Sequence, residues 1–348
     1  MKNQEKYYAA IKDVDFKNEF AVKRTLEKAG LYSKSTVFQL ASLLLELTAH
    51  CNMACKHCYN NSGIQNNLPD VMTPGKWIAF AKYLVKSGGV FECIISGGEP
   101  LLLGEPLFDL MDIFHEDGTC FLLQTNGYLL TRETAMRLKK YRYHWLQISI
   151  DGINAEYHDS FRQRSGSWKR AVNGAQLISS NGIPLKIAHC VTPYNLYDID
   201  EMCDLAYFVG ASAITIGEIC LSGRVEQNRD LLLSNDQRKI LFQKVAENSS
   251  RYKGRMRIKT SNSVRLGLER HRNRPYTIAS IRPNGDIRLD GMAPFVIGNI
   301  LVDDFLEVWT NKIEAGWNDP RVTDFIAGFN NDDRNYKFIN FAENDIYL

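Results

Sequence analysis

The sequence contains no long apolar segment and no strong excess of one charge. Its longest apolar runs, such as Leu43–Leu45, fall far short of the roughly 20 residues that cross a bilayer. The N-terminus, MKNQEKYYAAIKDVDFKNEF, is polar and lacks the apolar centre of a signal peptide. Lys and Arg number 42 against 40 Asp and Glu, a net charge of +2. These features argue against a membrane protein, a nucleic-acid binder and an acidic disordered chain, and predict a cytoplasmic protein.

Cysteine is absent after position 220, and three of the eight cysteines lie in one octapeptide, CNMACKHC. A disulfide framework is not expected at this length and density in a reducing compartment. The clustered residues are Cys51, Cys55 and Cys58, and the remaining five are Cys93, Cys120, Cys190, Cys203 and Cys220. Cys93, Cys120 and Cys203 lie in apolar or helical segments, which favours core positions.

Short apolar runs alternate with stretches of helical periodicity from Leu43 onward. Such alternation predicts parallel strands joined by crossover helices, with the chemistry at the C-terminal ends of the strands. Six runs predict strands: 43–49, 91–96, 120–125, 145–150, 185–191 and 213–219. Both a partly closed α/β barrel and a doubly wound sheet fit this pattern.

The alternation is predicted to stop after Arg224, with a helix at about 235–247 and then a different pattern. The segment YTIASIRPNGDIRLDG predicts a β-hairpin, because Asn284–Gly285 separates two alternating strands. We therefore predict a lead-in at 1–40, a barrel at 41–228 and a small α+β extension at 229–348.

The clustered cysteines are spaced C-x3-C-x2-C directly after the first predicted strand. A structural zinc site is one interpretation, but it needs four ligands, and the nearest fourth candidate, His57, is adjacent to Cys58. Three thiolates alone are better suited to an iron–sulfur cube whose fourth iron stays open to a small molecule.

This spacing resembles the signature of the radical S-adenosylmethionine (SAM) superfamily, CxxxCxΦC. Further motifs of that family follow in order at predicted strand ends: SGGEP at 96–100, QTNG at 124–127 and SIDG at 149–152. The resemblance implies a partial (β/α)6 barrel, one [4Fe–4S] cluster held by the clustered cysteines, and cleavage of SAM to a 5′-deoxyadenosyl radical.

The resemblance also implies roles for individual residues in binding SAM. Gly97 and Gly98 would let the backbone approach the methionine part, and Glu99 would accept from its ammonium group. The other residues that this resemblance implies in the SAM pocket are Gln124, Asn126, Ser149, Asp151 and Arg162. The residue types alone leave other interpretations open: SGGEP and Asp151–Gly152 as turns, Arg162 as a solvated charge, and the two amides as backbone partners.

The segment from the hairpin to WTN at 309–311 resembles the SPASM/twitch extension of radical SAM peptide maturases. In that extension, cysteines flank the hairpin and hold auxiliary clusters. Here Asp290 and Gly291 follow the hairpin, so the resemblance implies a degenerate extension and a single cluster.

Cys190 and Cys220 lie near predicted strand ends, where a thiol is positioned to donate a hydrogen atom to a substrate radical. A structural role for Cys220 is the alternative. The leading hypothesis is a radical SAM oxidoreductase or isomerase that matures a ribosomally made peptide by epimerisation or crosslinking. It would work with an electron donor such as flavodoxin or ferredoxin. The alternatives are a radical SAM enzyme acting on a sugar or aminocyclitol, and a non-catalytic zinc-binding interaction module.

Overall fold

The computed structural model describes residues 40–63, 70–261, 264–329 and 344–348. The predicted lead-in lies outside these ranges apart from Leu40. Among the described residues, no helix is both long and apolar enough to cross a lipid bilayer.

The strands of the described residues form one sheet in the order β11-β10-β9-β8-β1-β2-β3-β4-β5-β6-β7. Their bounds are β1 Leu40–Glu46, β2 Val90–Ser96, β3 Cys120–Thr125, β4 Tyr143–Ser149, β5 Leu185–Val191, β6 Ala213–Glu218, β7 Arg257–Thr260, β8 Ile278–Ile281, β9 Asp286–Arg288, β10 Phe295–Asn299 and β11 Ile346–Tyr347.

The helices have the bounds α1 Pro74–Lys86, α2 Glu105–Glu116, α3 Arg132–Leu138, α4 Ala155–Arg162, α5 Ser167–Ser180, α6 Ile199–Phe208, α7 Asn235–Arg251, α8 Val264–Asn273, α9 Phe305–Asn311, α10 Ile313–Trp317 and α11 Pro320–Gly328. Helices α1 to α7 connect the consecutive parallel strands β1 to β7. Side chains cap several of them: the Asn154 Oδ1 atom accepts from the Tyr157 N–H at 3.0 Å, which starts α4.

Strands β1 to β7 pair in parallel, so their C-terminal ends meet at one edge of the sheet. The register aligns Glu46, the last residue of β1, with Ser96, the last residue of β2. Apolar residues such as Leu43, Leu45 and Ile95 are fully buried between sheet and helices. The predicted α/β partial barrel is confirmed, and within the part of the chain that the structure describes the sheet does not close, because β7 and β11 form its two edges.

The prediction that the alternation stops after Arg224 was wrong. Helix α7 and strand β7 add another unit, and β7 pairs in parallel with β6. Strand β7 was missed because its four residues, RIKT, alternate two charges with apolar or β-branched residues and give too short a signal.

The predicted hairpin is present as β8 and β9, with Gly285 at a φ of 90° in the turn. Strand β8 also pairs in parallel with β1, so the hairpin extends the sheet of the barrel. The division at 228/229 and the likeness to a SPASM extension stay predictions.

Candidate functional site

The loop after β1 carries the three clustered cysteines and borders a cavity at the C-terminal ends of the strands. Cys51, Cys55 and Cys58 all line this cavity. Cys55 is buried, whereas Cys51 and Cys58 are half-buried. The loop turns back on itself here, because the Cys58 N–H donates to the Cys55 carbonyl at 3.2 Å. The Cys58 sulfur in turn accepts from the Ser62 N–H at 3.3 Å.

Two of these thiols lie where a negative charge needs compensation. Burial raises the pKa of Cys51 to about 11 and that of Cys55 to about 12, despite the positive charge of Arg162. A buried thiolate is costly unless a cation lies beside it, and a bound metal removes the proton and supplies that charge. The chemistry of this donor set therefore fits a metal cluster.

The glycines of SGGEP pack against the backbone of the cysteine loop. The Gly98 N–H donates to the Thr48 carbonyl at 2.6 Å, and the Glu99 N–H donates to the His50 carbonyl at 2.9 Å. A Cβ atom on Gly98 would lie 2.0 Å from the His50 oxygen. Gly97 has a φ of +137°, and a Cβ atom there would lie 2.6 Å from the Thr48 oxygen. Both glycines line the cavity, and the close approach that requires them is to this loop.

Glu99 is placed differently from the expectation that it accepts from a ligand. It is fully buried, and it is not among the residues that line the cavity. Its carboxylate accepts from the Thr125 hydroxyl at 2.7 Å, the Asn126 N–H at 2.8 Å and the Leu101 N–H at 3.1 Å. Glu99 thus fixes the end of β3, because these donors hold both of its oxygens.

Polar side chains from β3 and β4 form another wall of the cavity. Gln124, Asn126 and Ser149 line it, and their contacts with SAM stay a prediction. The Asn126 amide donates to the Asn52 Oδ1 atom at 2.8 Å, and its nitrogen lies 3.8 Å from the Cys51 sulfur. Gln147, which the sequence analysis missed, lies opposite Gln124 in the register and also lines the cavity. Its place two residues before Ser149 was the available signal.

Arg162 lines the cavity, and Asp151 lies behind it. The Asp151 Oδ2 atom accepts from Arg162 at 2.8 Å (Nε) and 2.6 Å (Nη2), while Arg162 Nη1 lies 4.0 Å from the Cys55 sulfur. The interpretation of Arg162 as a solvated charge was wrong, since only 6% of it is exposed. Asp151 does not line the cavity, and its Oδ1 atom accepts from the Cys190 N–H at 2.8 Å, so a contact of Asp151 with SAM stays a prediction. Burial favours a protonated Asp151, but Arg162 outweighs it and holds the pKa well below its usual range.

His57 is directed toward Asp151. Its ring stacks on Phe161 at 4.2 Å between centroids, and its Nε2 atom lies 3.6 Å from the Asp151 Oδ2 atom. Burial lowers the pKa of His57 to about 4, so the ring is neutral at pH 7. This placement gives no support to His57 as the fourth ligand of a zinc site.

The fully buried His158 predicts that the folded protein loses stability as the pH falls. Its Nδ1 atom accepts from the Asp151 N–H at 3.1 Å, and burial lowers its pKa to about 3. Between the unfolded pKa of roughly 6.5 and the folded one, only the unfolded chain takes up this proton, so stability falls as the pH falls. We expect the parent to lose about 2 kcal/mol more than His158→Gln between pH 7 and pH 5. Urea unfolding of both metal-loaded proteins at the two pH values measures this, and equal losses would refute it.

Arg224 clamps the cysteine loop, and the sequence analysis assigned it no role. Its Nε atom donates to the Cys55 carbonyl at 2.7 Å and its Nη2 atom to the Ser62 carbonyl at 2.6 Å. Its backbone N–H donates to the Cys58 carbonyl at 3.1 Å. The preceding Gly223 packs so closely that a Cβ atom would lie 2.2 Å from the same carbonyl. The planar guanidinium thus bridges both ends of the segment that holds two of the thiols.

Arg224→Lys is expected to lose iron several-fold faster than the parent when a chelator is added. A lysine ammonium group cannot donate to the Cys55 and Ser62 carbonyls with the fixed planar geometry of the guanidinium. Each hydrogen bond from a charged group contributes about 1.5–3 kcal/mol. The rate of absorbance loss in the presence of a chelator measures the effect. Arg229→Lys is the matched control, because Arg229 is an exposed arginine of the same segment. Equal rates for parent and Arg224→Lys would rule out the clamp.

The C-terminal hairpin also reaches the cysteine loop. Arg282, which follows β8, donates from Nη2 to the Asn60 Oδ1 atom at 3.0 Å, and its Nη1 atom lies 3.6 Å from the Glu46 carboxylate. The Asn60 amide donates to the same carboxylate at 3.3 Å. Arg282 and Glu46 are each 1% exposed, so this buried ion pair ties the extension to the base of the loop.

Cys190 and Cys220 do not line the cavity. Cys190 packs on a small apolar cluster that contains Phe161, Ile219 and Val225, and burial raises its pKa well above the usual value. Cys220 is half-buried against the main core. Both thiols therefore lie outside the set of residues that line the cavity.

The fold and this cavity place the chain in the class of partial α/β barrels with a cysteine-lined centre at the strand ends. Residues 45–206, slightly less than half of the chain, match the Radical SAM superfamily, so these residues form a radical SAM domain. That family uses a [4Fe–4S] cluster and SAM, and the residues described above fit both groups.

Related proteins include different activities. The AdoMet-dependent heme synthase of Methanosarcina barkeri is 29% identical over 289 residues, which is 76% of this chain and 81% of the relative. The mycofactocin maturase MftC of Mycolicibacterium smegmatis is 35% identical over 185 residues, which is 52% of this chain and only 45% of the relative. The crystal structure of Streptococcus suis SuiB bound to SAM has the same fold, with a TM-score of 0.65 at 16% identity over 85% of this chain and 72% of SuiB.

Proposed function

We propose that the protein holds one [4Fe–4S] cluster through Cys51, Cys55 and Cys58 and uses SAM to start radical chemistry on a peptide. The observation that carries the proposal is the convergence of three thiols, strand-end polar groups and Arg162 on one cavity. The three thiolates would hold the cluster and would leave one iron open to SAM. When bound, cluster and SAM together would supply radical chemistry, because one electron from the cluster would cleave SAM to a 5′-deoxyadenosyl radical.

The residues of the chain would orient the nucleotide and balance its charge. Gln124, Asn126 and Ser149 offer hydrogen-bonding groups along one wall. The Arg162 guanidinium offsets the SAM carboxylate and the Cys55 sulfur, and Asp151 holds it in place through two short hydrogen bonds. Glu99 acts indirectly, by fixing the backbone of Asn126.

A peptide is the substrate class we favour. MftC is named as a maturase, and a second crystal structure shows SuiB bound to its precursor peptide SuiA. We propose that this chain abstracts hydrogen from such a peptide and draws its electrons from flavodoxin or ferredoxin in the cytoplasm. The heme synthase of M. barkeri aligns over a larger share of the chain, so a small-molecule substrate is the second candidate.

The test is formation of 5′-deoxyadenosine by anaerobically prepared protein with a reductant. Peptides encoded by short reading frames beside the gene are added one at a time, with tetrapyrroles, sugars and aminocyclitols as the second arm. The proposal expects one such peptide to stimulate 5′-deoxyadenosine formation and to change in mass or chirality. Stimulation only by a small molecule would favour the second candidate.

Epimerisation would need a hydrogen donor on the far side of the substrate, and we propose the Cys220 thiol. Its S–H bond would break as the new C–H bond forms, and the flavodoxin or ferredoxin would return one electron to the thiyl radical, with a proton from solvent. In D2O the product would then carry deuterium at the abstracted position. We expect Cys220→Ala to lose this deuterated product while still forming 5′-deoxyadenosine, with Cys190→Ala as the comparison. Unchanged deuterium incorporation in Cys220→Ala would remove Cys220 from the mechanism.

A further inference from the structure

Two arginines lie on the ring of Tyr128, a tyrosine two residues after Asn126, which lines the cavity. The guanidinium carbon of Arg164 is 4.8 Å from the centre of the Tyr128 ring, and that of Arg170 is 5.3 Å from it. Arg164 Nη2 also donates to the Tyr128 hydroxyl at 3.4 Å. Tyr128 and Arg164 are half-buried and Arg170 is exposed, so solvent reaches this group.

Local structure brings the three side chains together beside the proposed SAM pocket. Tyr128 follows the cavity residue Asn126 by two positions, and its N–H donates to the Asn126 Oδ1 atom at 2.9 Å. The intervening Gly127 has a φ of +76°, and a Cβ atom there would lie 3.2 Å from the Cα atom of Ala171 in α5. This contact places Tyr128 beside the first turn of α5, which carries Arg170.

The two guanidinium groups have no acidic partner among the described residues. No carboxylate of that part of the chain lies within the 4.0 Å limit of an ion pair to either group. The nearby Asp159 is engaged elsewhere, since it accepts from the Trp168 N–H at 2.7 Å, the Gly166 N–H at 2.6 Å and the Ser167 hydroxyl at 2.8 Å.

Like charges held on one ring repel each other, and the ring offsets only part of this cost. An anion bound beside these guanidinium groups would offset the repulsion. Their planar forks match a carboxylate, which accepts two hydrogen bonds from each.

We propose that Arg164 and Arg170, held on Tyr128, form a subsite that binds a carboxylate of the peptide substrate beside the radical site. The proposal rests on the proposed function in one respect, the peptide nature of the substrate. The carboxylate belongs either to an acidic side chain or to the C-terminus of the peptide.

The test is equilibrium binding of short probe peptides to the cluster-loaded protein with SAM present, at low ionic strength. The probes are acetyl-tetraglutamate amide, acetyl-tetraglutamine amide and acetyl-tetraglutamine with a free C-terminus. We expect the first or the third to bind about tenfold or more tightly than the neutral second peptide. Preference for the first assigns the site to acidic side chains, and preference for the third assigns it to the C-terminal carboxylate.

Variants identify the residues responsible. In the double variant Arg164→Gln, Arg170→Gln the advantage of the charged peptide should vanish, whereas Arg164→Lys, Arg170→Lys should keep part of it, because charge remains without the fork. Lys169→Gln is the matched control, because this exposed neighbour of Arg170 is not on the ring. It should change the affinity less than about twofold.

Three outcomes would overturn the proposal: equal binding of all three peptides, no detectable binding of any, or an equal effect of Lys169→Gln and the double glutamine variant. Thermal unfolding of each variant shows whether it is folded. Iron content and peptide-independent SAM cleavage by the parent report on the proposed function separately, so either idea can fail alone.

Discussion

Cys55→Ala is expected to be purified anaerobically without its brown colour and to form no measurable 5′-deoxyadenosine. Cys55 is the most buried of the three clustered thiols, and it lies between the Arg162 side chain and the Arg224 clamp. Two thiolates cannot hold the cluster as three do, so both iron content and SAM cleavage should drop to background. Iron and sulfide assays, with chromatography of the nucleoside products, measure the two losses.

Cys203→Ala is the matched control for this loss. Cys203 is fully buried in α6 and does not line the cavity, so its replacement leaves the cluster ligands intact. We expect normal iron content and a modest loss of stability, of the order of 1 kcal/mol, from the small cavity created. SAM cleavage by Cys55→Ala at the parental rate would contradict the assignment of this thiol.

Gly98→Ala is the second change with a large expected effect. The added methyl group would lie 2.0 Å from the His50 carbonyl oxygen and 2.5 Å from its carbon, and backbone atoms cannot move as a flexible side chain does. The β2 end and the cysteine loop must separate, which breaks the hydrogen bonds from Gly98 and Glu99 to this loop. We expect iron content to fall at least about fivefold and unfolding free energy to fall by roughly 2–4 kcal/mol.

Gly75→Ala tests whether the effect of Gly98→Ala is local. Gly75 is in α1, where a Cβ atom meets nothing within 4 Å, so alanine should be neutral or stabilise the helix slightly. Iron content and urea unfolding are measured for both variants. If Gly98→Ala retains parental iron content, the tight packing of this glycine does not position the cluster loop.

The strands and the shared location of the motifs were predictable from the sequence. The apolar run LKIAHCV became a strand with the expected limits, because alternate residues of the run are buried. The first strand, predicted at 43–49, lies at Leu40–Glu46. SGGEP, QTNG and SIDG follow neighbouring strands, so parallel pairing brought Gly98, Asn126 and Ser149 to one cavity.

The contacts that hold the site together were not predictable in the same way. Arg224 and Cys55 are 169 positions apart, and Arg282 and Asn60 are 222 apart. No local pattern reports such pairs, because they depend on how the sheet curves and on which loops meet. Asp151 was expected to face a ligand, but the sequence did not show that α4 would place Arg162 between it and the cavity.

The central claim is that a cluster with one open iron binds SAM in this cavity. The most direct measurement is the electron paramagnetic resonance spectrum of the reduced, anaerobically reconstituted protein before and after SAM is added, together with its metal content. We predict about four iron atoms per chain and a spectrum that shifts on addition of SAM. Zinc in place of iron, or a cluster signal that SAM leaves unchanged, would contradict it.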